Sequence, residues 1–291
     1  MTKHLLFIFC VGTLFFGCKQ EDITPSWLKI NQFNFVTNQE TQGWNTHGIT
    51  DAWVYLDNEQ LGVHQLPCNI PVLAEGEHTF TIIPGIKNNG ISSTRRNYPF
   101  YQPFEITGTL KKNDTLEITP ETVYRTSTEF AFIEDFENAG ISFIQGPSSD
   151  TNIVFVTEAE NPDIVAYGDK CGGIFLTDLD SLLTISTEEF MDLPKGEEVY
   201  LEVDYRNNNS IAMGVLARFP DGTVDEQTPL LQMNPQDQGE EVWKKIYIQL
   251  NENVSFNQNY VSYEIFFISI LDQGLSSAQI YLDNIKVVHY K

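Results

Sequence analysis

Catalysis needs converging groups, and this sequence scatters them. His47, His64, His78 and His289 have no paired spacing on one strand that would hold a metal. No Gly-x-Ser-x-Gly elbow presents a nucleophile, no glycine-rich loop precedes a helix to cradle phosphate, and no Cys-x-x-Cys occurs. Asp and Glu number 40, so a pair spaced for glycoside hydrolysis could be chosen anywhere and carries no information. The chain therefore reads as non-enzymatic. Contact chemistry is easier to see. Between Lys87 and Phe104, two adjacent arginines stand beside four aromatics in an otherwise acidic chain. Planar guanidinium and aromatic groups bury much area at small entropic cost, which makes Arg95, Arg96, Tyr98, Phe100 and Tyr101 the candidate partner-binding residues. The competing reading is an elaborated hairpin whose aromatics cap a sandwich while the arginines answer nearby carboxylates.

Those residues sit in a chain patterned as strands. From Trp27 to Phe35 large and polar residues alternate, as in a half-buried strand. Residues 37 to 51 form a polar loop, and Trp53 to Asp57 returns through Asp57-Asn58 into Leu61 to Val63, since Asp and Asn bond their own backbone in turns. Leu66 to Leu73 stays extended because Pro67 and Pro71 keep their predecessors out of the helical region. His78 to Gly85 alternates again, and Phe104 to Ile106 with Leu116 to Ile118 is expected to close the unit as a pair. Further on, Leu182 to Met191, Val199 to Tyr205, Ile211 to Phe219, Val242 to Leu250 and Val261 to Leu271 are alternating runs separated by turn signals such as Lys195-Gly196 and Asp221-Gly222. No long helical period is present. The expected fold is all-β, two β-sandwich domains, with residues 27–126 in the smaller and 130–291 in the larger.

Lys3 and His4 precede an apolar run from Leu5 to Phe16 that is too short to span a bilayer, as in a signal peptide. Leu14, Gly17 and Cys18 resemble the lipobox at which bacterial lipoproteins are cleaved and acylated. Phe15 and Phe16 depart from its commonest form but suit the lipoprotein signals of Bacteroidota. The resemblance implies a signal peptide over 1–17, a lipid on Cys18 and a tethering linker over 18–26. Lys19, Gln20, Glu21 and Asp22 then look like the export signal that sends such lipoproteins to the outer face of the outer membrane. Simple secretion is the alternative. More than one acyl chain would make the attachment lasting.

The stretch from Ala52 to about Lys87 resembles the small PEGA β-sandwich, a module that usually serves as spacer or assembly element. Over 130–291, Glu134-Asp135-Phe136-Glu137, Val242 to Ile248 and the closing Ile280 to Val288 resemble the galactose-binding jelly roll shared by many carbohydrate-binding modules. The jelly-roll resemblance makes Asp135, Glu137 and Asp283 candidates for a structural calcium, hard oxygen ligands being what calcium takes. Ordinary surface carboxylates are the other account of them. No other cofactor is expected. Trp243 falls where the pattern packs a residue inside, which leaves Tyr260 and Tyr263 as candidate sugar platforms.

The formal net charge of -23 argues against nucleic acid, whose phosphates it would repel. With Cys10 in the leader and Cys18 acylated, Cys68 and Cys171 remain and fall in different domains, so two buried free thiols are expected, with a disulfide between docked domains as the alternative. These readings converge on a non-catalytic surface lipoprotein that binds another outer-membrane or envelope complex as an accessory subunit. The alternative is a glycan-binding lipoprotein.

Overall fold

The computed structural model describes residues 24–187, 191–226 and 231–291. The signal peptide, Cys18 and the export residues Lys19, Gln20, Glu21 and Asp22 lie outside the described residues, as does most of the linker. Apart from two short helices, Gln39–Gln42 and Asn251–Ser255, the regular structure is β.

The first half holds a three-stranded sheet ordered Cys68–Val72, Ser26–Ile30, Thr115–Ile118, and a five-stranded sheet centred on Asp51–Leu56 and Gly76–Lys87. The run that reads as one strand from Trp27 to Phe35 is two. Ser26–Ile30 belongs to the three-stranded sheet, and Asn34–Val36 pairs in parallel with Glu121–Val123. Exposed Asn31 and Gln32 interrupt the alternation and let the chain change sheets. The expected closing pair is also divided: Phe104–Leu110 pairs with Gly76–Lys87, whereas Thr115–Ile118 runs parallel to Ser26–Ile30. Asp57 and Asn58, at φ 47 and 70, form the two-residue turn between Asp51–Leu56 and Glu59–Gln65, where left-handed backbone matches strand twist.

The second half is a sandwich of two six-stranded sheets. One contains Val154–Thr157, Lys170–Thr177, Ser277–Tyr290, Val199–Asn207 and Lys244–Gln249 in that order, with Thr128–Glu134 added alongside Ser277–Tyr290. The other is built on Phe143–Gln145, Leu182–Thr187, Ser262–Ile270 and Ile211–Arg218. Leu201, Val203, Ile246, Ile248, Leu282 and Val287 from the first sheet share a buried core with residues of the second such as Met213, Val215, Ile265 and Phe267. This is the hydrophobic payload that alternation along each strand delivers to one face.

The strand Val199–Asn207 is buried at nearly every position instead of at every second one. Leu201 and Val203 face the sandwich core. Tyr200, together with Tyr247 and Val288 from neighbouring strands, belongs to a second core otherwise built from the first half: Leu28, Val54, Phe80, Ile82, Tyr98, Phe100 and others. The first half thus covers part of the outer face of this sheet, and one apolar core runs across the junction.

Candidate functional site

The segment expected to meet a partner lies within that junction. Tyr98, Phe100 and Tyr101 are 1%, 0% and 0% exposed. The Tyr98 ring sits 4.6 Å from Tyr101, 5.2 Å from Tyr200 and 4.6 Å from Tyr247 between centroids. Arg95 donates from Nη1 to Oδ1 of buried Asp51. Arg96 donates from Nη2 to Glu198 Oε1 at 2.7 Å and lies over the Tyr200 ring. The reading of Arg95, Arg96, Tyr98, Phe100 and Tyr101 as a surface for another protein is therefore corrected. Arg95 is answered within the first half, and Arg96, Tyr98 and Tyr101 by residues of the second.

Around these rings lies a closed ionic cluster. The Lys245 Nζ is 3.2 Å from Glu202 Oε2 and 3.4 Å from Asp204 Oδ1. Tyr98 donates its hydroxyl to Glu202 Oε1 at 2.7 Å and Tyr124 donates to Oε2 at 2.9 Å. Lys286 Nζ donates to the Trp44 carbonyl at 3.2 Å and to the Tyr124 hydroxyl at 3.4 Å. Thr46 donates to Asp204, and Asn284 bonds Asp204 and both backbone groups of Trp44. A bulge opposite Glu202 to Asp204, with Asn284 at φ 48, turns that amide toward the loop carrying Trp44 and Thr46. Burial alone would push the Glu202 carboxyl up, but Lys245, Lys286 and the two phenols outweigh it and leave the carboxyl below its usual range. Burial, with Lys245 beside it, brings Lys286 down to about 7. A buried charge without partners costs several kcal/mol, so this set closes only when both halves are docked.

The calcium candidates do not come together. Asp135 Oδ1 accepts from the Glu137 backbone N–H at 3.2 Å, across Phe136 at φ 58. Glu137 Oε1 accepts from the backbone N–H groups of Asp169 and Lys170. Asp283 is fully buried, and its carboxyl is pushed well above the usual range by burial first and by Asp204 next. Among the described residues no three His, Cys, Asp or Glu form a group able to hold a metal ion. Asp135 and Glu137 are engaged in turns, whereas Asp283 Oδ2 is buried without a hydrogen-bond partner and feels the charges of Asp135 and Glu137. Tyr260 and Tyr263 are each 1% exposed, with Tyr263 donating to the Val254 carbonyl, so neither is a sugar platform. Cys171 is a buried free thiol and Cys68 a half-buried one.

The part of the sheet left uncovered by the first half carries a small open groove of about 40 Å³, lined by Ile164, Arg206, Asn208, Glu241, Gln279 and Tyr281 among others. Arg206 and Tyr281 are register partners on adjacent strands and therefore face the same way. Beyond the strand end, Asn208 Oδ1 accepts from the Gln279 backbone N–H at 2.7 Å. One wall is the loop around Ile164. Trp243 Nε1 donates to the Ile164 carbonyl at 2.7 Å, and Arg206 Nη1 donates to the Asp163 carbonyl at 2.9 Å. Tyr281, 6% exposed, donates to Gln279 Oε1 at 2.8 Å, leaving its oxygen free to accept. Trp243 is thus half-buried outside the sandwich, packed with Val165, Cys171 and Tyr281, and not inside as the pattern suggested. The sequence signal for this groove was the polar alternation Glu202, Asp204, Arg206 on the outward face.

No protein-family model matches the chain. No curated protein matches it in sequence either. Several solved structures resemble it. The enzymatically active domain of tailspike protein 4 of bacteriophage CBA120 is 9% identical, at TM-score 0.38, over 53% of this chain and 20% of that one. A carbohydrate-binding module of the β-sandwich superfamily with promiscuous specificity is 13% identical, at TM-score 0.34, over 81% of this chain and 84% of its own. A module specific for non-crystalline cellulose is 12% identical, at TM-score 0.38, over 54% and 93%. The chain spans a fifth of the tailspike domain, and the likenesses reach no further than β-sandwich architecture.

Proposed function

We propose that this chain is a non-catalytic, glycan-binding lipoprotein, anchored through Cys18 to the outer membrane and facing outward. The groove at Arg206 and Tyr281 carries the reading. Recognition of a neutral, hydroxyl-rich ligand calls for planar polar groups that donate and accept in fixed directions beside an aromatic wall. Here Arg206, Asn208 and Gln279 supply amide and guanidinium donors, Glu241 and the Tyr281 oxygen supply acceptors, and the edge of the largely buried Tyr281 ring supplies the aromatic contact. Arg206 and Tyr281 project from paired strands, so these two are held in place before a ligand arrives.

The accessory-subunit reading rested on the export-like signal, the spacer-like first domain and the Arg-aromatic segment, and in that segment Arg95, Arg96, Tyr98, Phe100 and Tyr101 are spent within the chain. A broad glycan array probed with the mature protein, with and without calcium, tests the proposal. Binding that Arg206→Ala and Tyr281→Ala each abolish, with the circular dichroism spectrum unchanged, supports it. Silence across the array overturns it, and stoichiometric co-purification with an envelope complex would then revive the accessory reading.

A further inference from the structure

The linker leaves the fold at a definite place. Ser26 pairs with Val72, and its hydroxyl donates to the Ala74 carbonyl at 3.1 Å. On the other side Asn113 donates its backbone N–H to the Pro25 carbonyl at 3.1 Å, and Trp27 donates to the Asp114 carbonyl at 2.9 Å. The chain therefore exits between two loops, one carrying Leu73 and the other Lys111 and Lys112. Leu73 is 72% exposed, directly after the end of Cys68–Val72 and beside the exit of the linker. Both lysines are exposed, in a molecule with only 17 basic residues against 40 acidic ones. Lys112 lies 3.5 Å from exposed Glu75, which leaves Lys111 as the second positive group at this tip.

Given acylation at Cys18, the stretch from Cys18 to Thr24 spans about 20 Å even when fully extended, and less as a flexible coil. Adjacent strands are about 4.8 Å apart, so Leu73 is one strand spacing from the exit point. We infer that the tip formed by Leu73, Lys111 and Lys112 rests on the lipid surface, with the leucine entering the headgroup layer and the lysines meeting lipid phosphates. The inference depends on lipidation of Cys18, as the proposed function does, and it sets which end of the molecule faces the membrane. The net charge of -23 would repel most of the surface from anionic lipid, whereas at this tip Lys111 and Lys112 offset Glu75 and Asp114 and the exposed leucine meets no net repulsion.

The test uses the full acylated chain in vesicles of phosphatidylcholine with a minority of phosphatidylglycerol and a headgroup-located quencher lipid. An environment-sensitive fluorophore is placed on Leu73→Cys, or on Leu179→Cys in the second half, each in a Cys68→Ser background. Leu179 is 89% exposed and serves as the distant reference. A blue shift and quenching at position 73 with neither at 179, weakened by Lys111→Glu with Lys112→Glu, is the expected result. Acylated protein bound to vesicles but unquenched at 73, or quenched equally at both positions, overturns the inference while leaving the anchor intact. An intact mass without acyl chains on Cys18, and no vesicle binding, removes the anchor and the inference together.

Discussion

Lys286 is fully buried, and its ammonium gives up its proton at about 7. In the unfolded chain a lysine keeps that proton to about 10.4. Above pH 7 the unfolded state therefore binds more protons than the folded one, and stability rises with pH by at most about 1.4 kcal/mol per unit. The Cys171 thiol, held up to about 12 by burial, and the buried tyrosines act oppositely once the unfolded chain starts to lose those protons, from roughly pH 8.5 upward. Lys286→Met is thus expected to flatten the rise between pH 7 and about 8.5 in urea denaturation, and an unchanged slope would assign it to another group. Glu202 has the same sign of slope in an acid window: its lowered carboxyl pKa contributes stability above the unfolded value, lost as pH falls through the folded one. Glu202→Gln removes one of the two carboxylates beside buried Lys245, leaving Asp204 at 3.4 Å, and should cost up to about 3–5 kcal/mol. Tyr98→Phe removes one hydrogen bond to that charge and should cost about 1.5–3 kcal/mol, so the ranking of the two denaturation midpoints checks the account.

Two strands do more than their length suggests. Val199–Asn207 and Ser277–Tyr290 present apolar residues to the sandwich core on one face. On the other face they present tyrosine, carboxylate and lysine to the first half, and past its edge Arg206 and Tyr281 to the groove. Alternation made most strands readable, including Ile211–Arg218 and Ser262–Ile270 to within a residue at either end. It failed at Trp27 to Phe35, because period-two patterning does not say which sheet a strand joins. Close packing of elements is testable at Gly172 in Lys170–Thr177. A Cβ there would come within 2.5 Å of the Phe136 ring and 2.6 Å of Ile153 Cδ1. Both side chains are buried, so Gly172→Ala should cost about 1–3 kcal/mol, seen as a lower urea midpoint with an unchanged m-value.

For the whole molecule, the shared core and the closed ionic cluster couple the two halves. Backbone joins them as well, with Asn89 donating to the Tyr247 carbonyl at 2.8 Å. Calorimetry of the mature chain should accordingly show one unfolding transition. Tyr98→Ala, which empties the centre of the junction, should cost about 3–5 kcal/mol and divide that transition in two. Two transitions in the parent chain would instead mean that the halves unfold independently about the segment from Glu121 to Glu129.

By itself the sequence determined the β class, most strand positions and the Asp57-Asn58 turn, because these follow from side-chain period and from local backbone chemistry. It also supplied the lipobox-like stretch at Cys18, a reading that stays at the level of residues. The use to which the aromatic and charged residues are put was decided only in three dimensions. Arg95, Tyr98 and Tyr101 carry the same chemistry whether they meet another protein or their own chain, and only tertiary packing sets Asp51, Glu202 and Tyr247 against them. Asp135 and Glu137 likewise suit a cation or a pair of turns, and only the folded backbone sets the N–H groups of Glu137 and Asp169 against them. Arg206 is far in the chain from Gln279 and Tyr281, and pairing of Val199–Asn207 with Ser277–Tyr290 is what assembles their groove.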